Sequence, residues 1–77
     1  MMSVTIYTTT RCPYCDMLKN FLSEKGIAFN EVNVEKNPAK MQKLISTTGQ
    51  MGVPQTEING EWIIGFDPYS IMAVLRI

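Results

Sequence analysis

The chain carries two cysteines, Cys12 and Cys15, within the segment RCPYC, and it contains no histidine. Two thiols at this spacing can form a disulfide, or they can supply two of the four ligands of a zinc site. The missing zinc ligands would have to come from further cysteines or histidines, and a cysteine hydrolase would need a histidine as its base. We therefore interpret the pair as a redox site, with metal binding as the alternative and no metal predicted.

The two cysteines are expected to play different parts. Pro13 favours the first turn of a helix, which puts Cys12 at a helix N-terminus, next to the positive charge of Arg11. Unpaired N–H groups and the helix dipole stabilise an anion there, so we expect a lowered pKa for the Cys12 thiol. Cys15 lies one turn further along the same face, beside Asp16, and is expected to be less exposed. Cys12 is the predicted nucleophile and Cys15 the predicted resolving thiol.

Alternating strands and helices are predicted to position the pair. The β-branched and aromatic segment VTIYT predicts a strand that leads directly to the cysteines. The dipeptide Asn59-Gly60 favours a two-residue hairpin between two later strands. The predicted elements, in order, are a strand at 4–8, a helix from Pro13 to before Gly26, a strand at 27–34, a helix at 38–48 capped by Asn37, strands at 55–58 and 61–66, and a helix after Asp67. This order predicts an α/β fold, βαβαββα, with a four-stranded mixed sheet flanked by three helices.

Length and composition set the class of protein. A chain of 77 residues, 45% hydrophobic and 18% charged, predicts one globular domain spanning residues 1–77. Seven basic and seven acidic residues leave no net charge, which argues against nucleic acid as a partner. No apolar stretch approaches the ~20 residues that span a bilayer, and no signal peptide is recognisable. We predict a cytoplasmic monomer that does not associate with membranes.

Three motifs together resemble the glutaredoxin family, and the match in order and spacing covers essentially the whole chain. They are CPYC after the first strand, GVPQ before the hairpin and GFD after it. The resemblance implies a thioredoxin-like fold, with Val53 and Pro54 opposite the cysteines and a cis peptide bond before Pro54. It also implies a glutaredoxin-like disulfide oxidoreductase whose catalytic residues are Cys12 and Cys15. The substrate-binding residues that we predict are Arg11, Pro13, Tyr14, Gln50, Val53, Pro54, Gly65, Phe66 and Asp67.

Departures from the family pattern bear on the source of electrons. Glutathione-using members usually have lysine, threonine and glycine where this chain has Thr9, Gly52 and Ile64. The segment WIIGFDP is similar to that of the redoxins of the NrdH type, which reduce ribonucleotide reductase and take electrons from thioredoxin reductase. The resemblance therefore implies no tightly bound cofactor, disulfide-containing protein substrates, and glutathione or thioredoxin reductase as the electron donor.

One alternative function belongs to a different class. Some glutaredoxins hold an iron-sulfur cluster between two subunits with glutathione as a co-ligand, which would make this protein a cluster carrier. Pro13 stiffens the turn where such a cluster would sit. The physiological target stays open, because ribonucleotide reductase and other disulfide-containing enzymes would accept the same chemistry.

Overall fold

Four strands and three helices alternate in the computed structural model, which describes residues 3–77. The first two residues of the predicted domain, 1 and 2, lie outside the described part. In chain order the elements are β1 (Val4–Thr8), α1 (Pro13–Glu24), β2 (Asn30–Asn33), α2 (Pro38–Thr48), β3 (Gln55–Ile58), β4 (Glu61–Ile64) and α3 (Pro68–Leu75).

The strands form one mixed sheet in the order β2-β1-β3-β4. β1 is parallel to β2 and antiparallel to β3, and β3 is antiparallel to β4. The hairpin between β3 and β4 turns at Asn59 and Gly60, whose φ angles of 49° and 89° are both positive. Positive φ at both central residues is the requirement of a type I′ turn, so the Asn-Gly prediction is confirmed.

The main core lies between the sheet and helices α1 and α3. Alternate residues of β1, Val4 and Ile6, face this side and are buried with Leu18 and Leu22 of α1 and with Ile71 of α3. Tyr7, the next residue of β1, faces the other side, where its ring lies 5.4 Å from that of Trp62 and near Leu44 of α2. Successive side chains of β1 point to opposite faces of the sheet, with α1 and α3 on one face and α2 on the other.

Each helix begins with a capping side chain followed by proline. The cap residues are Cys12, Asn37 and Asp67, and each accepts a hydrogen bond from the backbone N–H three residues later. This arrangement satisfies one of the free N–H groups of the first turn. Within residues 3–77 no helix is both long and apolar enough to cross a membrane.

Two strands are shorter in the structure than predicted. The predicted strand 27–34 is confined to Asn30–Asn33 because Ile27 instead donates its N–H to the Leu22 carbonyl at 2.8 Å, which closes the end of α1. The predicted strand 61–66 stops at Ile64. Gly65 still donates its N–H to the Pro54 carbonyl opposite it, at 2.9 Å, but Pro54 has no N–H to donate in return and Gly65 turns the chain with a φ of 83°.

Candidate functional site

Cys12 occupies the N-cap position of α1. Its backbone is extended, with φ −145° and ψ 95°, and its Sγ accepts a hydrogen bond from the N–H of Cys15 at 3.1 Å. A sulfur in this place receives an N–H of the first helical turn and the positive end of the helix dipole. The predicted location of Cys12 at a helix N-terminus is therefore confirmed.

Cys15 lies in the first turn of α1 and is joined to Cys12 by a disulfide, with 5.1 Å between their Cα atoms. That Cα separation is within the ordinary range for a disulfide. Cys15 is 1% exposed and Cys12 is 9% exposed. A ligand can therefore reach Cys12 more readily than Cys15, as the assignment of a nucleophile and a resolving thiol requires.

The segment before β3 lies against the cysteines. The Val53–Pro54 peptide bond is cis, as the resemblance implied, and the Val53 carbonyl oxygen lies 3.9 Å from Sγ of Cys12. Among the backbone groups of residues 3–77, none is hydrogen-bonded to the N–H or C=O of Val53. Val53 therefore presents a donor and an acceptor that an extended peptide can pair with, beside the sulfur.

The loop of residues 50–53, between α2 and β3, is fixed by two side chains. The hydroxyl of Thr48 accepts the N–H of Gln50 at 3.2 Å. The amide nitrogen of Gln55 donates to the carbonyls of Gln50 and Gly52 at 3.0 and 2.9 Å. Sequence reasoning placed Gln55 in the GVPQ motif and at the start of a strand, but assigned it no role in the site.

The segment 65–67 lies on the other side of Pro54, because the N–H of Gly65 bonds the Pro54 carbonyl. The Phe66 ring packs edge-on against Phe21 of α1, with 6.5 Å between centroids. Asp67 caps α3 with both carboxylate oxygens, which accept the Ser70 N–H at 3.1 Å and the Ser70 hydroxyl at 2.6 Å. The Ser70 hydroxyl, and then its N–H, lowers the pKa of Asp67.

The remaining predicted site residues surround the cysteines along the chain. Arg11 and Pro13 are exposed, and Tyr14 is 61% exposed, so Tyr14 does not extend the apolar face of α1 formed by Leu18 and Leu22. An aromatic ring next to the pair, with its face in solvent, is available to a docking partner. In the described part of the chain, no three side chains of the histidine, cysteine, aspartate or glutamate type are grouped as a metal site.

A polar network ties α1 to the sheet behind the cysteines. The buried Thr8 hydroxyl donates to a Glu31 carboxylate oxygen at 2.8 Å, and the same oxygen accepts from Lys19 of α1 at 3.2 Å. Lys19 also lies 3.7 Å from a carboxylate oxygen of Asp16. The Thr8 hydrogen bond, with a smaller contribution from Lys19, lowers the pKa of Glu31. The network holds the helix that carries Cys15 at a fixed position over β1 and β2.

Comparison with known proteins gives consistent matches over most of the chain. The family model described as Glutaredoxin matches residues 4–63. Glutaredoxin 3 of Escherichia coli (strain K12) is 42% identical over 67 residues, which cover 87% of this chain and 81% of that protein. The glutaredoxin-like protein NrdH of Lactococcus lactis subsp. cremoris is 45% identical over 42 residues, or 54% of this chain and 58% of that protein.

A solved structure shares the architecture. The structure of the glutaredoxin-like protein NrdH-redoxin from Escherichia coli superposes with a TM-score of 0.86 at 26% identity, covering 94% of this chain and 93% of that one. The description of that structure refers to a thioredoxin-like activity profile. The predicted thioredoxin-like fold, with a four-stranded mixed sheet and three helices, is confirmed.

Proposed function

Because this chain belongs to the glutaredoxin family, whose members are thiol-disulfide oxidoreductases, we propose that it reduces disulfides by a two-cysteine mechanism in which Cys12 attacks and Cys15 resolves. The chain is an enzyme of this class, and it carries the cysteine pair at the required spacing. The observation that carries the assignment of roles is the contrast between the two sulfurs. Sγ of Cys12 accepts a helix N–H and is partly accessible, whereas Cys15 is 1% exposed.

The first step forms a mixed disulfide. The Cys12 thiolate attacks one sulfur of a substrate disulfide, and the other substrate sulfur leaves as a thiolate and takes a proton from solvent. An extended substrate segment is held beside Cys12 by pairing with the N–H and C=O of Val53, which have no backbone partner within residues 3–77. The Val53 carbonyl, 3.9 Å from Sγ of Cys12, sets the distance between the docked segment and the attacking sulfur.

The second step produces the disulfide seen in this structure. Cys15 loses its proton, attacks Sγ of Cys12, and releases the second substrate sulfur as a thiolate. The thiolate that leaves in this step is the substrate's. The N–H that stabilises the Cys12 thiolate acts earlier, in the first step, where it keeps the attacking sulfur ionised. The substrate gains two electrons and two protons, and the protein is left oxidised.

We further propose that the oxidised pair is reduced by glutathione or by thioredoxin reductase, without a tightly bound cofactor. Similarity to Glutaredoxin 3 over 67 residues supports glutathione. The NrdH-like similarity, together with Thr9, Gly52 and Ile64 in place of the usual glutathione-associated residues, supports thioredoxin reductase. A fixed cation near a glutathione carboxylate would contribute about 1.5 to 3 kcal/mol, and Thr9 supplies none.

The test is NADPH oxidation in the presence of this protein and a disulfide substrate. One reaction contains glutathione with glutathione reductase, and a parallel reaction contains thioredoxin reductase alone. Turnover that requires the protein and is abolished in Cys12→Ser supports the proposal, and the reaction that turns over identifies the donor. Failure of both donor systems, with a chemically reduced protein that also fails to reduce the substrate, would overturn it.

A further inference from the structure

Gln55 is the first residue of β3 and is fully buried, although its side chain is polar. Its primary amide has two hydrogens, and the nitrogen donates to two carbonyls, those of Gln50 and Gly52. The side-chain oxygen of Gln55 has no hydrogen-bond partner among residues 3–77. Burying an unpaired amide oxygen carries a free-energy cost. The two hydrogen bonds that the amide nitrogen donates offset this cost.

The bond to Gly52 determines the direction of the next N–H group. The Gly52 carbonyl and the Val53 N–H belong to one planar trans peptide, so they point in opposite directions. Since the Gly52 carbonyl is directed at the buried Gln55 amide, 2.9 Å away, the Val53 N–H is directed away from the protein interior. This is the side from which a substrate segment approaches Cys12.

Residue 52 itself offers little resistance to rotation of this peptide. Gly52 has no side chain, is exposed, and would meet no atom within 4 Å if a Cβ were added. Glycine tolerates most combinations of φ and ψ, so rotation of the Gly52–Val53 peptide would meet no steric barrier from residue 52. Among residues 3–77, the Gln55 bond is the hydrogen bond that holds the Gly52 carbonyl in the observed orientation.

We propose that Gln55 is a positioning residue that holds the Val53 N–H outward and thereby sets the reactivity of Cys12 toward disulfides that contain peptide groups. The inference rests on the proposed function, since it explains why the Val53 N–H is available to the substrate segment there. It makes a distinction between substrates: a disulfide that has no hydrogen-bond acceptor besides its sulfurs gains little from the Val53 N–H.

The test compares two disulfides in single-turnover reactions of the reduced protein. Gln55→Met removes both donors while keeping the length of the side chain. With glutathione disulfide, whose cysteines carry backbone amides, the rate constant should fall about 3- to 10-fold, the loss expected for one hydrogen bond. With cystamine, whose ammonium groups accept no hydrogen bond, the rate should stay within twofold of wild type. Thr56→Val, which alters the adjacent fully buried residue of β3, is the matched control and should change neither rate.

Equal losses with both disulfides, or no loss with either, would overturn the role of Gln55. If the wild-type protein reacted with neither disulfide, the proposed function would be wrong, and a measurement without substrate would still decide the role of Gln55. Residual dipolar couplings of the backbone amides report the direction of the Val53 N–H. They should fit the outward direction in wild type and deviate from it at Val53 in Gln55→Met, with the strands unchanged. An inward Val53 N–H in wild type would overturn the inference even if the variant did not fold.

Discussion

Cys12 and Cys15 are chemically identical side chains that the structure places in different surroundings. The N-cap position gives Cys12 a hydrogen bond from the Cys15 N–H, and the Val53 carbonyl lies 3.9 Å away. Cys15 is enclosed, at 1% exposure. At the scale of residues, the reaction depends on this difference, because a dithiol reductase needs one accessible sulfur that ionises easily and attacks, and one that is close but protected.

The Cys12 thiol is expected to titrate below the value of free cysteine, about 8.5. The physical reason is that its thiolate accepts the Cys15 N–H and lies at the positive end of the α1 dipole. The measurement is the ultraviolet absorbance of the thiolate against pH in Cys15→Ser, which leaves one thiol. A midpoint close to that of free cysteine would show that the cap position does not activate Cys12.

Two substitutions at Asp67 separate its structural role from its predicted role in binding. Asp67→Asn keeps a side chain that caps helices well, so the urea midpoint should stay close to wild type, whereas Asp67→Ala should lower it. Both variants remove the carboxylate, so both should react more slowly with glutathione disulfide if the carboxylate pairs with the ammonium group of glutathione. An unchanged rate in Asp67→Asn would remove Asp67 from the binding set.

At the scale of elements, α1 is attached to the sheet by apolar packing and by the Glu31 network. Lys19 connects α1 to β2 through Glu31, and Thr8 connects the same carboxylate to β1. The Glu31 side chain is 36% exposed, so solvent weakens its ion pair. We expect a contribution of about 0.5 kcal/mol from the charge on Glu31 at neutral pH.

The stability of Glu31→Gln should therefore depend on pH. The folded state lowers the pKa of Glu31, so its stabilising contribution is present above the ordinary glutamate value of about 4.3 and is lost as the pH falls through the lower folded value. Urea unfolding should show the variant to be less stable than wild type near pH 7 and equal to it near pH 3. Glu24→Gln, an exposed substitution on α1, is the control. A stability difference that persisted in acid would contradict an electrostatic origin.

The elements were predicted well where their signals were local. Proline after a capping residue marked all three helix starts, and Asn59-Gly60 marked the hairpin. The start of β2 and the end of β4 were not predicted. The N–H of Ile27 bonds to a carbonyl of α1, and β4 ends where Gly65 turns with a positive φ opposite Pro54, which has no N–H. The pattern of apolar residues along the chain does not show where backbone hydrogen bonding leaves the sheet.

The chemistry of the site could be predicted from the sequence, whereas the contacts that hold the site residues in place could not. The spacing of the cysteines indicated redox chemistry, and the resemblance implied the cis bond before Pro54, which is present. The carbonyl partners of Gln55 lie only five and three residues before it, but the sequence does not show that the loop directs the carbonyls of Gln50 and Gly52 toward this side chain. Tyr14 matched helical spacing, but α1 turns it into solvent at its first turn.

At the scale of the whole molecule, we expect the protein to act as a monomer without an iron-sulfur cluster. The chain offers only two cysteine sulfurs, and the more buried of the two cysteines is 1% exposed. A cluster with cysteine ligands needs four, so two subunits and glutathione would have to supply the rest. Anaerobic reconstitution with iron, sulfide and glutathione should give no cluster absorbance and no dimer on size-exclusion chromatography. A coloured dimer would contradict this expectation and favour the function of an iron-sulfur cluster carrier.

The division of labour between the cysteines is tested most directly by trapping. Reduced Cys15→Ser and reduced Cys12→Ser are each mixed with glutathione disulfide, and the products are followed by mass spectrometry over time. The account predicts that Cys15→Ser accumulates a stable mixed disulfide at Cys12, because the resolving thiol is gone. Cys12→Ser should react far more slowly, since its remaining thiol is buried. Equally fast trapping by the two variants would contradict the assignment of Cys12 as the nucleophile.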